Sequence, residues 1–313
     1  MPENTTLYLV RHGTTEYNAK FRYQGLADIP LNDLGHKQGE LLTKYFKNIK
    51  IDLGVSSNLT RARQTLEYIL AGHDEAESFI EPDLHEINLG IFELRPVTEV
   101  AILFPEFQKN FILKPGDIKV PRGETSVEVY NRMRNAILRI VKANQGKTIA
   151  MASHGFAIQT WLNYASNISA KDMHLWSLDN VAVSKFIFDE NLNIKIEYIG
   201  DTSHLKDEYK QNYDWDVLAN PAPLLLYNSK NYRAALADNY VKNLIKKYKV
   251  RSQFRDLADY PLYDEELEAI LNKNINKKYI NKDLFLVTAD KAVTGYRKRE
   301  FNKILGVNNH DEA

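Results

Sequence analysis

Arg11-His12-Gly13 concentrates the most chemistry in the chain, and His154-Gly155 repeats part of it. Arg11 carries a planar fork of donors that matches phosphate oxygens. A neutral imidazole such as His12 can attack phosphorus. A glycine after each histidine lets the backbone turn. Arg61 and Arg63 add positive charge in Ser57-Asn58-Leu59-Thr60-Arg61-Ala62-Arg63-Gln64-Thr65. Two positions apart on a helix they cannot share a face, so one can enter a site while the other stays in water. These residue types in this arrangement point to an anion site suited to phosphoryl chemistry.

Such side chains need rigid elements to deliver them. The apolar run Leu7–Val10 reads as a buried strand ending at Arg11, and Thr148–Ser153 as a second ending at His154. In open α/β sheets, ligands bind beyond the carboxyl ends of strands. Asn32 or Asp33 caps a helix to about Phe46, with Leu41, Leu42, Tyr45 and Phe46 on one apolar face. Leu53–Ser57 is a short strand. The helix after it, capped by Thr60 or Asn58, runs to Leu70 and puts Arg61 in its first turn, where free N–H groups favour anions. Phe79-Ile80 is a further short strand. The stretch Arg95–Arg122, broken by Pro96, Pro105, Pro115 and Pro121, reads as a cap with a short helix near Val97–Leu103. A periodic helix then spans Val127 to about Lys142, and Phe156 opens another to about Asn163. Val181–Phe188 and Ile194–Ile199 alternate as strands, antiparallel through Asp189-Glu190-Asn191.

Five short motifs now stand in order. Arg11-His12-Gly13-Thr14-Thr15-Glu16-Tyr17-Asn18 resembles the RHGxTxxN signature of the histidine phosphatase superfamily, in its phosphoglycerate-mutase-like branch. Ser57–Thr65 resembles SxLxRAxxT. Leu84-His85-Glu86 through Gly90 and Glu93 resembles LxExxxGxxE. Gly123-Glu124-Thr125 resembles GES, and Ala152-Ser153-His154-Gly155 the second histidine motif. The resemblance covers about residues 5–205. It implies a three-layer α/β fold with helices on both faces of the sheet. It also implies a metal-independent phosphomonoester hydrolase that needs no cofactor. His12 would become a phosphohistidine, with Arg11, Arg61 and His154 around the transferring oxygens. Glu86 would serve as general acid and then base. Asn18, Gln24, Gly25 and Gly155 would complete the substrate site. Mutases of this family carry a longer insertion between the acid and the second histidine. The short interval from Glu86 to His154, and the Gln24–Leu31 loop, favour the hydrolytic branch. The substrate is expected to be a small phosphorylated metabolite, with Phe92, Leu94, Ile102, Leu103, Phe104, Phe107 and Phe111 supplying apolar cap surface. His36, His73, His85, His174 and His310 are read as non-catalytic, and His204 as a structural hydrogen-bonder.

Composition bounds the rest. The chain has 313 residues, with 41 Lys+Arg against 41 Asp+Glu, so net charge gives no reason to expect nucleic acid or an anionic membrane as partner. It has no cysteine, which excludes disulfides and thiolate chemistry. No run approaches the ~18 apolar residues of a membrane span. A cytoplasmic protein is expected. Three domain segments are expected: the phosphatase domain at 1–205, a linker at 206–222 and a small extension at 223–313. In the extension, Asn228–Ala237 and Arg255–Leu267 resemble the start of flavodoxin-like NAD(P)H-dependent FMN reductases, without the usual glycine in the first loop. The expectation there is a flavodoxin-like half-domain, mostly parallel, used for packing and open to forming a homodimer. Its strands are placed at Leu224–Tyr227, Ser252–Asp256 and Leu284–Thr288. Its helices are placed at Tyr232–Tyr248, Asp264–Leu271 and Tyr296–Leu305.

Overall fold

The computed structural model describes residues 4–210, apart from positions 98, 101–103 and 177, and four short strands beyond them. Its contacts divide the chain into two compact units. One comprises Met1–Leu94 and Lys114–Tyr213, the other Arg95–Leu113 and Asp214–Ala313. The break lies between Tyr213 and Asp214, within the stretch 206–222 read as a linker, and the segment Arg95–Leu113 is grouped with the C-terminal residues.

The first unit is built on a six-stranded sheet. Its strands are β1 (Thr5–Arg11), β2 (Leu53–Ser56), β3 (Glu77–Ile80), β4 (Thr148–Ser153), β5 (Val183–Phe188) and β6 (Ile194–Asp201), in the order β3-β2-β4-β1-β5-β6. The four strands from β3 to β1 are parallel, and β5 and β6 are antiparallel. The helices are α1 (Glu16–Ala19), α2 (Asp33–Phe46), α3 (Thr60–Leu70), α5 (Ser126–Ala143) and α6 (Gly155–Ala165); α4 (Pro105–Leu113) belongs to the second unit.

β1 lies between β4 and β5, and its apolar run is buried on both faces, as a central strand requires. Alternation splits that run between two cores. Tyr8 and Val10, with Ala150 and Ala152 of β4, pack against Leu42 and Phe46 of α2 and Ala62, Leu66 and Ile69 of α3. On the other face, Phe186 and Phe188 meet Trp161 of α6 at ring separations of 5.7 and 6.2 Å. Burying each such side chain stabilises by about 1.5–3 kcal/mol. The three-layer expectation for this part therefore holds.

Two local expectations change. Neither Asn58 nor Thr60 caps α3. Its N-cap is Leu59, without a side-chain bond, and Asp28 reaches in from the preceding loop to accept from the Thr60 N–H at 2.6 Å and its hydroxyl at 2.8 Å. The irregular cap region contains α4, whose Pro105 sits at its first residue, where a missing N–H costs nothing. Val97, Glu99 and Val100 are helical, as expected, whereas positions 101–103 lie outside the described residues.

In the second unit, β7 (Leu224–Tyr227), β8 (Phe254–Asp256), β9 (Lys277–Asn281) and β10 (Leu284–Val287) form a sheet in the order β8-β7-β10-β9. Three of these match expected strands, and β9 is additional. Only β7 and β8 pair in parallel. β10 runs antiparallel to both β7 and β9, so the sheet is not the mostly parallel one expected. The three helices expected here, the linker from 211 to 222, and the flavodoxin-like arrangement that depends on them lie outside the described residues.

Candidate active site

β1 and β4 are adjacent and parallel, and their register pairs Arg11 with Ser153. The two histidines therefore leave the sheet side by side. The His12 N–H donates to the Ser153 carbonyl at 2.9 Å, and the His12 and His154 rings are 5.2 Å apart. Both are buried.

The hydrogen bonds fix which nitrogen of each ring carries hydrogen. His12 Nδ1 lies 2.7 Å from the Gly13 carbonyl, which can only accept. Nδ1 is thus the N–H, and Nε2 keeps its lone pair. Burial, reinforced by the charges of Arg61 and Arg11, holds His12 well below the usual histidine range, so the ring is neutral at physiological pH. In His154 the pattern is reversed. Arg61 Nε donates to Nδ1 at 3.2 Å, so Nε2 carries the hydrogen and donates to Ser57 Oγ at 2.6 Å. Burial and the Arg61 charge also hold His154 well below its usual range.

The two α3 arginines part as expected. Arg61 is fully buried, and Arg63 is exposed, donating to Thr60 Oγ1 at 2.9 Å. Arg61 Nη1 and Nη2 hold the Ala27 and Gly25 carbonyls at 2.7 and 2.8 Å. Burial lowers its pKa to about 10, which leaves it cationic at neutral pH. Arg11 Nη1 donates to the Leu178 carbonyl at 2.5 Å, and Arg11 Nε is buried without a partner.

Glu86 lies at the start of α6. It accepts from the Phe156 N–H (3.0 Å), the Ala157 N–H (3.0 Å) and its neighbour Ile87 (2.9 Å). His154, the N-cap of α6, makes no side-chain cap, so Glu86 satisfies N–H groups that would otherwise be orphaned. A Cβ on Gly155 would sit 3.5 Å from Arg11 Nε and 3.6 Å from Glu86 Oε2. The unpartnered guanidinium nitrogen and the carboxylate therefore both border the space over a glycine. Arg132 holds the strand of chain that carries Glu86 by donating to the carbonyls of Asp83, His85 and Glu86, and it pairs with Glu124 at 2.8 Å.

Asn18 and Gln24 flank Thr15. The Thr15 hydroxyl is 3.1 Å from Asn18 Oδ1 and 2.9 Å from Gln24 Oε1, and Thr15 and Asn18 form a capping box on α1. Gly25 has φ +50°, and a Cβ there would lie 1.9 Å from Glu93 Oε1. Glu93 accepts from the N–H groups of Leu26, Ala27 and Leu89, and burial raises its pKa. It is a clamp on the 25–27 backbone rather than an acid facing substrate.

Sequence reasoning missed Asn180, Ser57 and Asp28. Asn180 Nδ2 donates to the His12 carbonyl at 2.9 Å. Ser57 lay within a motif already quoted, but only the fold brings it to His154. Asn180 has no local signal at all. Among the described residues, no three or more His, Asp or Glu are grouped to hold a metal ion.

Comparison with known proteins identifies the family. The sequence pattern of the "Histidine phosphatase superfamily (branch 1)" matches residues 7–201. The "Probable phosphoglycerate mutase GpmB" of Escherichia fergusonii is 30% identical over 203 residues, spanning 64% of this chain and 94% of that protein. Among solved structures, YhfR of Bacillus stearothermophilus is 28% identical with TM-score 0.61, over 64% of this chain and all of that one. A phosphoserine phosphatase of Entamoeba histolytica is 26% identical with TM-score 0.56, over the same share of this chain and all of its own. The chain belongs to branch 1 of the histidine phosphatase superfamily.

Proposed function

We propose that this protein hydrolyses phosphomonoesters through a phosphohistidine at His12. The observation that carries this reading is the state of His12: neutral, with Nδ1–H bound to the Gly13 carbonyl and the Nε2 lone pair free, beside two guanidinium groups. Nε2 attacks phosphorus as the ester P–O bond breaks, and Glu86, as the carboxylic acid, gives its proton to the leaving oxygen. Water then attacks the phosphohistidine, Glu86 takes up its proton, the P–N bond breaks and inorganic phosphate leaves. Arg11 and Arg61 offset the charge that builds on the equatorial oxygens, where positioning and electrostatics supply most of the rate. Asn18 and the backbone at Gln24-Gly25 bind the remaining oxygen, with Gly155 leaving room for it. His154 contributes by orienting Arg61, since both its nitrogens are engaged.

A second reading, a phosphoglycerate mutase, is favoured by the names of relatives such as the Escherichia fergusonii protein. The short interval between Glu86 and His154 supports hydrolysis instead. One experiment separates the two. The full chain is incubated without added metal on a panel that includes an aryl phosphate, phosphoserine and 3-phosphoglycerate. Hydrolysis releases inorganic phosphate, and His12→Ala reduces that release to background. Isomerisation of 3-phosphoglycerate without phosphate release would establish the mutase. A His12→Ala protein as active as wild type would overturn the phosphohistidine. The substrate we propose is a small, partly apolar phosphate ester in a cytoplasmic setting, and self-association through the C-terminal part belongs to the same proposal.

A further inference from the structure

The peptide groups after the nucleophile are clamped one at a time by side chains. The His12 carbonyl takes Asn180 Nδ2, the Gly13 N–H donates to Thr65 Oγ1 at 3.0 Å, and the Thr14 N–H donates to Gln38 Oε1 at 2.8 Å. Asn180 and Thr65 belong to the region shared with the family. Gln38 does something more. It is 1% exposed on α2, and its other end, Nε2, donates to the carbonyl of Tyr209 at 2.8 Å. Tyr209 ends a short 3-10 turn, Asp207–Tyr209, which lies past residue 201, where the family match stops. The turn is anchored, because the Tyr209 ring packs on the core that contains Leu42, Phe46 and Leu205.

We propose that Gln38 is a positioning residue that ties the stem of the C-terminal extension to the nucleophile loop, so that the placement of Tyr209 sets the placement of Thr14 and, two residues earlier, of His12. This rests on the reading of His12 as nucleophile. The argument is one of satisfaction and rigidity. A buried primary amide has two kinds of end, and this one spends its acceptor on the loop and its donor on the stem. Gln38 and Thr14 are buried, so breaking either bond leaves one end of the buried amide unpaired. The carbonyl of Tyr209 thereby fixes the amide's orientation and presents Oε1 to Thr14. Displacement of the nucleophile by a fraction of an ångström is enough to slow an in-line attack.

The test uses the full-length protein. Gln38→Met removes both bonds at similar volume. Gln38→Glu keeps an acceptor for Thr14 but loses the donor to Tyr209. Tyr209→Ala frees the stem without touching Gln38. Each is assayed for kcat and KM on an aryl phosphate and for hydrogen exchange at residues 13–15 and 206–210. The expected result is a fall in kcat of about tenfold for Gln38→Met, with KM within threefold and faster exchange confined to those two segments. Gln38→Glu and Tyr209→Ala give smaller losses of kcat, with exchange raised first at 206–210. A kcat within twofold of wild type in Gln38→Met, or exchange raised evenly over the chain, overturns the proposal. If the wild-type protein releases no phosphate from any ester, the proposed hydrolysis fails instead, while the exchange data still show whether Gln38 joins the two segments.

Discussion

His12 and His154 share one property, depressed basicity, and reach it by different hydrogen bonds. In both rings burial is the main cause and neighbouring guanidinium charge adds to it. The consequence for stability has a definite sign. In the unfolded chain a histidine takes up its proton near pH 6.5. In the folded protein these two do so only at lower pH, so between the two values the unfolded state binds more protons. Stability contributed by the neutral rings is thus present above pH 6.5 and is lost as pH falls below it, at up to about 1.4 kcal/mol per pH unit for each ring. Urea midpoints recorded from pH 7.5 down to 5 should fall below pH 6.5, and His12→Ala should fall less steeply than wild type. Equal slopes would mean that His12 does not stay neutral in the folded state. At this scale the sequence was informative where chemistry and motif coincide. Arg11, His12, Arg61, Glu86 and His154 could be singled out because each ionisable side chain stands at a defined place in a short motif. Asn180 and Ser57 were not, because an amide or a hydroxyl is compatible with any surface and declares itself only through its partner.

Among the elements, α3 shows how a loop and a helix can be made interdependent. Arg61 and Ala62 ride in its first turn, but the cap comes from Asp28, in the same loop whose Gly25 and Ala27 carbonyls hold the Arg61 guanidinium. Loop and helix therefore order each other. Asp28→Ala should cost about 1 kcal/mol through the lost cap, or about 2–4 °C in Tm for a domain of this size. It should also raise KM, since the Gly25 backbone would no longer be held as firmly. Calorimetry alongside steady-state kinetics checks both, and a loss of Tm with no change in KM would separate the cap from the site. The apolar run of β4 was legible to the residue, and the periodic helix α5 to within one residue at each end. The cap of α3 was not, because a capping group thirty-two positions upstream has no sequence signature. α4 was obscured by its own Pro105, which reads as a breaker in a sequence and as a starter once the helix is known.

For the molecule as a whole, the division into two units places every proposed catalytic residue in the first. It also places the segment Arg95–Leu113 with the C-terminal residues, although Val100 and Phe104 in it are only 1% and 6% exposed. A chain ending at Tyr213 should therefore keep the proposed catalytic groups, and it tests whether the residues after it serve to bury apolar surface or to hold copies of the chain together. Such a chain is expected to bind a hydrophobic dye more strongly than the full protein and to differ from it in mass by light scattering. A truncated chain that is as dye-silent as the full protein, and equally sized relative to its length, would show that the C-terminal part serves neither burial nor association. The sequence marked the extension as foreign to the family, and its flavodoxin-like resemblance pointed to mostly parallel strands, which the pairing of β10 does not follow. A four-residue apolar run is compatible with either direction, and only pairing reveals that β10 is antiparallel to β7.

The register that pairs Arg11 with Ser153 also says which errors evolution could never have kept. β1 is apolar on both faces, so sliding it by one residue against β4 would exchange Leu7 and Leu9 for Tyr8 and Val10 and still fill two cores. The sheet could survive such an insertion or deletion. The two histidines could not, because they would leave adjacent strands at different heights and pointing to different sides. In a library of single-codon indels, β1 and β4 should yield folded, expressed and inert proteins. The margin for foldability there is expected to be wider than the margin for turnover, with the placement of the two histidines setting the alignment.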